Sequence, residues 1–383
     1  MQTPAVERLK AVARRLDARQ FAAYSAAPPT RPEWTAARVA LIATSAVLTL
    51  AVLGGLVLGV RLVLRDFPSF WAVPGLLLIG LAWELRPRLG RLGGEWAEVT
   101  RGTAPTLFAL LDRIGAAAGA PAPHVVALDF DFNASAGVHG LRRRRRLTLG
   151  LPMWGVLAPG QRVALLAHEF GHFVNGDPAR GVATSPALLT PGLIADMVSP
   201  SASVTGSNPF VELVEAVIAP LQRLVARGFL LVQAGLLVVA SRDRQRAEYC
   251  ADAVAVRLAG TDATAALMDD LVAADQLMGA VAAAERGVRA TATARHAHPG
   301  PATWRAAAER VRATLSPAEL RAASVDGSTL WDSHPPAGLR ARAVESWPHR
   351  EAAVTLSAED SARIDAELAR WYARAGRDLA WER

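Results

Sequence analysis

His168-Glu169-Phe170-Gly171-His172 follows an apolar run, Val163-Ala164-Leu165-Leu166-Ala167, that is rich in helix formers. The pattern predicts a helix across both. Residues four apart stack on one helical face, so the two imidazoles can meet one metal ion. Glu169 is offset by one position and can reach a water in an open fourth coordination position. Two nitrogen ligands with an adjacent carboxylate base are an arrangement for holding and using zinc, one ion per chain.

A tetrahedral catalytic zinc needs a third protein ligand. Glu248-Tyr249-Cys250-Ala251-Asp252 lies in a stretch that reads as helical from Ser241 to Leu258. Glu248 and Asp252 are four apart and share a face. One carboxylate is wanted on the metal and a second to hold a ligand imidazole in the correct tautomer. Glu248 fits the first role. Asp252 fits the second, on the free ring N–H of His168.

These pieces resemble the membrane-associated zinc metalloendopeptidases that include the heat-shock protease HtpX and the CAAX prenyl endopeptidases. Four segments match that family in order. Asn133-Ala134-Ser135-Ala136 resembles the edge strand lining its substrate cleft. His168 through Asp177 resembles its metal helix and exit, and Ser241 through Asp252 its third-ligand helix. His334-Pro335-Pro336, with Leu339, Arg340 and Arg342 behind it, resembles its C-terminal His-Pro element. The resemblance implies a zincin-like metallopeptidase domain, with Asn133, Ala134 and Ala136 binding a protein or peptide substrate.

In that reading zinc sits on His168, His172 and Glu248, and Glu169 is the general base. His334 is the candidate donor to the oxyanion; the alternative is a His opening a proline-rich turn after Trp331-Asp332-Ser333. His298-Pro299 is a rival pair in what reads as an exposed loop. Asp177 reads as fixing the turn after the metal helix, and Tyr249 as core. Substrate is expected to lie extended against a sheet edge. Val125–Leu128 and Leu147–Leu149 are the strand-like runs that build the sheet. Asn133 has an alternative reading as a turn residue.

The chain has 383 residues, half of them apolar. Val39 to Val60 carries no charge and is long enough to cross a bilayer core of about 30 Å. Phe67 to Trp83 is shorter, with Pro68 and Pro74 inside it; with the first it reads as a transmembrane hairpin over 39–85, the alternative being a re-entrant or core helix. No cleavable leader is expected in the charged first 38 residues, read as a basic cytoplasmic helix. Arg86, Arg88 and Arg91 follow the hairpin, against Arg61, Arg65 and Asp66 in its turn. That asymmetry places the remainder, 86–383, in the cytoplasm, as part of a multi-pass inner-membrane protein. Residues 181–241 hold further apolar runs interrupted by Ser199–Pro209. They read as a helical pair on or dipping into the membrane surface, with two full spans as the alternative.

A net charge of +7 invites a nucleic-acid reading. Arg142–Arg146 lacks the aromatic platform or motif such a reading needs, so nucleic acid is excluded as a partner. The arginines suit anionic lipid headgroups or a solvated hairpin tip. Residues 5–24 place Val6, Leu9, Ala13 and Leu16 at helical spacing, suiting either the membrane interface or packing on the catalytic domain. The single cysteine, Cys250, excludes a disulfide framework. The expected class is mainly α with a small β-sheet (α+β): a membrane hairpin and one zincin-like domain with a helical C-terminal flank. The expected function is that of a membrane-anchored zinc endopeptidase, with membrane-protein quality control as its setting. The alternatives are a membrane metallopeptidase signal transducer and a non-catalytic zinc-bearing scaffold.

Overall fold

A computed structural model describes residues 4–30, 34–65, 67–87, 97–140, 142–200, 209–291, 300–329, 332 and 334–381. Asp66, Arg88, Arg91, Trp331, Ser333 and the His298-Pro299 pair lie outside the described residues, as do 201–208 of the Ser199–Pro209 segment. In chain order the elements are α1 (Pro4–Tyr24), α2 (Ala36–Leu64), α3 (Ala72–Leu85), β1 (Ala97–Val99), α4 (Pro105–Ala118), β2 (Val125–Asp129), β3 (Ala134–His139) and β4 (Arg144–Gly150). Then follow α5 (Leu151–Val156), α6 (Pro159–Asn175), α7 (Asp177–Val198), α8 (Pro209–Ala259), α9 (Thr261–Val272) and α10 (Ala274–Thr291). The chain closes with α11 (Gly300–Arg312), α12 (Pro317–Asp326), α13 (Ala337–Ser346), α14 (Ala358–Glu367) and α15 (Ala369–Trp381). The protein is mainly helical with one small sheet, as the pattern of the sequence implies.

Two compact units divide the chain. The first comprises residues 1–32, 90–179 and 244–383. Its sheet has the order β1-β2-β4-β3, with β2 and β4 parallel and both outer pairs antiparallel. β3 therefore forms one edge. Leu147 and Leu149 of β4 and Val126 and Leu128 of β2 are almost wholly buried, in one core with Leu107, Leu111, Trp154, Leu166 and Phe170. β1 carries only three residues, too few to show the alternation that marks a strand in sequence.

Within this core, α6 and the last part of α8 approach closely. A Cβ on Gly171 would stand 2.8 Å from Ala251 Cα, nearer than real Cβ contacts allow, so only glycine permits this approach. α6 then ends at Gly176, whose φ of 71° is the left-handed cap that L side chains resist.

α1 packs on α13 in the same unit. Ala13 and Leu16 are buried, Tyr24 lies against Tyr249, and the Trp347 indole donates to the Tyr24 carbonyl. Of the two readings of residues 5–24, the structure shows a helix packed on the catalytic domain. Asp17 is 3% exposed and accepts hydrogen bonds from Gln245 Nε2 and the Ser328 hydroxyl. Burial pushes its carboxyl pKa up, against the pull of those two donors. Asp17→Ala strands both partners and is expected to cost about 1–3 kcal/mol. Denaturant unfolding of the detergent-solubilised protein measures that loss.

The second unit comprises residues 33–89 and 180–243. Leu41, Ala187 and Ala240 form its small core. Arg38 pairs with Asp243 at 3.2 Å, and Thr35 donates to the same carboxylate. Pro186 and Pro191 interrupt the hydrogen bonding of α7. Beside them Ser45 Oγ accepts from the Ala187 N–H, and Gln233 donates to the Leu188 carbonyl. The outer surface is apolar: Val47, Leu50, Leu53 and Val57 of α2 are all at least half exposed. Ala36–Leu64, Asp177–Val198 and Ala216–Ala259 are long and apolar enough to cross a membrane, and α3 is a shorter apolar helix. Exposed leucines on helices of spanning length suggest association with a membrane. The runs within 181–241 thus sit on helices of spanning length, which their short uncharged stretches do not announce.

Candidate metal centre

α6 brings His168 and His172 one turn apart with ring centroids 4.8 Å apart. Their Nε2 atoms lie 3.2 Å from each other. Glu248 of α8 completes a triangle: Oε2 is 3.5 Å from His168 Nε2, and Oε1 is 3.6 Å from His172 Nε2. Nitrogen and oxygen ligands about 2.0–2.1 Å from a tetrahedral ion stand roughly 3.3 Å from one another. The triangle therefore has the size of one face of such a site. Glu248 is buried, and its Oε2 has no aligned hydrogen-bond partner. A buried carboxylate facing two imidazole Nε2 atoms is a donor set that suits a divalent cation. The residues present fit a metal ion.

Each imidazole has a carboxylate behind it. His168 Nδ1 lies 3.0 Å from Asp252 Oδ1, and His172 Nδ1 lies 2.9 Å from Asp177 Oδ2. A carboxylate on Nδ1 keeps the proton there and turns the Nε2 lone pair inward. Asp177 thus does more than shape the turn after α6. Its signal in the sequence is its place five residues beyond His172, just past the Gly176 cap. Asp177→Ala is expected to weaken metal binding about 10–100-fold, read by competition against a chelator of known affinity.

Arg340 of α13 was not assigned a role from sequence, and the structure places it in the centre. It is 3% exposed and grips Asp252 with two hydrogen bonds, Nε to Oδ2 at 2.8 Å and Nη2 to Oδ1 at 2.6 Å. Its Nη1 stands 3.5 Å from Glu248 Oε2. Burial opposes its charge, but Asp252 outweighs burial and raises its pKa. One signal was legible: Arg340 falls among Leu339, Ala341, Ala343 and Val344, all on or beside the buried face of a short helix.

Electrostatics separates the two imidazoles. Burial disfavours a charged His168, yet its hydrogen bonds to Asp252 and Glu248 prevail and raise its pKa to about 9. His172 is lowered, chiefly by burial and against the attraction of Glu248.

His334 Nδ1 stands 2.7 Å from Glu248 Oε2, and its side chain is 41% exposed. It faces the centre through a contact with Glu248. His168, Glu248 and His334 also offer ligand atoms that all lie within 4.8 Å of one another, a second possible ligand set. A cavity of ≈ 210 Å³ opens on the centre. Glu169, 4% exposed, lines it with His168, His334, Arg340, Asn133 and Ala134, while Met153, Leu165, Leu267, Met268 and Leu271 give it an apolar wall. Ala136, further along β3, is not among the lining residues. Asn133 Oδ1 accepts from the Ala134 N–H at 2.8 Å, so it opens the strand as well as facing the cavity. Tyr249 and Cys250 are buried.

The sequence profile of peptidase family M48 matches residues 103–348, which spans every residue of this centre. No curated protein and no solved structure matches the chain.

Proposed function

The chain belongs to peptidase family M48, and from that membership we propose that it is a membrane-anchored zinc endopeptidase. The observation that carries the reading is the triangle of His168 Nε2, His172 Nε2 and Glu248 with edges of 3.2–3.6 Å. Glu169 stands at the cavity beside it. His172 is preferred to His334 as the second nitrogen ligand because a carboxylate, Asp177, orients it as Asp252 orients His168.

When bound, zinc supplies Lewis acidity that polarises the scissile carbonyl and makes water acidic near neutral pH. The chain's own residues do the rest. Glu169 accepts the proton of the attacking water on a carboxylate oxygen as the new C–O bond forms. It returns that proton to the departing amine nitrogen as the C–N bond breaks. Arg340 holds Asp252, and Asp252 holds His168, so that imidazole cannot rotate away. His334, once substrate displaces its contact with Glu248, is the ring N–H best placed to donate to the oxyanion. Ala134 begins the free edge of β3 at the cavity, where an extended substrate can add as a strand.

The apolar helices of the second unit support anchoring in a membrane, and the arginines that follow α3 support a cytoplasmic face. The substrates such an enzyme meets are membrane proteins, which makes their quality control its setting. The test is cleavage of casein by the detergent-solubilised protein. Cleavage that a zinc chelator abolishes and added zinc restores supports the reading. Cleavage indifferent to chelation rules out the metal mechanism.

A further inference from the structure

β3 leads away from the candidate centre. It starts at Ala134, which lines the cavity with His168 and Glu169, and ends at His139. At about 3.4 Å per residue this is a run of roughly 17 Å. Its partner β4 returns along its inner side, pairing Gly137 with Arg146, Val138 with Arg145 and His139 with Arg144. The Gly150 N–H donates to the Asn133 carbonyl, so alternate residues from Ala134 onward turn their backbone groups to the outer edge. A peptide adding to that edge at the cavity must run toward the turn between β3 and β4.

That turn is strongly basic. Arg142, Arg143 and Arg144 are exposed, and among the described residues no carboxylate pairs with them. Arg143 has a φ of 47°, a conformation in which glycine costs less, yet the position carries a guanidinium. His124, beside the start of β2, feels only positive neighbours: after burial, Arg145, Arg144 and His139 are what lower its pKa. Among the described residues the patch has no internal counter-charge. Its complement is acidic.

We infer that the Arg142–Arg144 turn at the far end of β3 is an exosite for acidic residues of the substrate, about five to eight positions from the scissile bond. This deepens the endopeptidase reading and rests on it. The exosite acts on capture, because guanidinium groups some 17 Å from the reacting atoms attract substrate equally in the ground and transition states. Its effect belongs in KM, not in kcat.

The experiment uses full-length protein in a neutral detergent and quenched fluorogenic peptides sharing one cleavable core. Three peptides carry a Glu-Asp-Glu block five to eight residues upstream, the same block downstream, or Gly-Ser residues in both places. One acidic placement is expected to lower KM about tenfold at low salt with kcat unchanged, and the advantage to shrink at 0.5 M salt. In the Arg142→Ser/Arg144→Ser double variant the ratio of neutral to acidic KM falls toward one. Equal KM for all three peptides overturns the proposal, as does a preference that survives in the double variant. If the variant instead loses binding to vesicles containing phosphatidylglycerol, with no peptide preference in wild type, the turn faces lipid and the proposal fails. Should no peptide be cut, fluorescence anisotropy of the labelled peptides on the same two proteins decides the exosite separately. Tighter acidic binding by wild type, lost in the variant, upholds it, and equal binding overturns it.

Discussion

Replacing Glu169 with Gln is expected to lower kcat by about 10²–10⁴-fold, the range for loss of a general base, while the protein keeps its zinc. The substitution is nearly isosteric and removes only the ability to take a proton. Glu169 lies beside His168 on α6 but outside the ligand triangle, so its loss leaves the ligand atoms' positions unchanged. Metal content and casein cleavage, measured on the same preparations, separate the outcomes. A variant with full metal and little activity matches the mechanism. A variant as active as wild type assigns the base elsewhere. A variant that has lost its metal shows that Glu169 is a ligand.

Zinc affinity is expected to rise about tenfold per pH unit between pH 6 and about 9, some 10³-fold in all. The cause is His168, whose pKa in the metal-free protein is held near 9 by Asp252 and Glu248 against burial. Binding needs the neutral imidazole, so a proton must leave at any pH below that value. His172, lowered by burial, adds little in this range. The stability of the metal-free protein runs the other way. A His whose folded pKa is raised contributes stability that is complete below about pH 6.5, its unfolded value, and is lost as pH rises through about 9. Calorimetry in buffers of different ionisation enthalpy would show about one proton released per zinc bound at pH 7. Release of none would mean that His168 is already neutral, and that Asp252 orients the ring without charging it.

Much of this was legible because helices impose a short period. Two His and a Glu within five residues, and Glu248 with Asp252 four apart, announce shared faces without any tertiary knowledge. The runs Val125–Leu128 and Leu147–Leu149 read as strands because both are short and apolar or β-branched, and they lie in β2 and β4. What escaped depends on contacts between segments far apart in sequence. Arg340 reaches Asp252 across 88 positions, and the close crossing of Gly171 with Ala251 brings α6 and its two imidazoles to the same part of α8. Asp17 reaches Gln245 and Ser328 in the same way, so the choice between a membrane-lying and a packed α1 could not be made locally. The apolar runs within 181–241 are short on paper, yet α7 and α8 are continuous through prolines that sequence rules treat as breaks.

The central claim is that His168, His172 and Glu248 hold the metal and that His334 does not. Zinc per chain, measured by mass spectrometry on wild type, His172→Ala and His334→Ala purified side by side, tests it most directly. The account predicts one zinc in wild type and in His334→Ala, and its loss in His172→Ala. Zinc retained without His172 and lost without His334 would contradict it, and would move the centre to the neighbouring cluster of His168, Glu248 and His334.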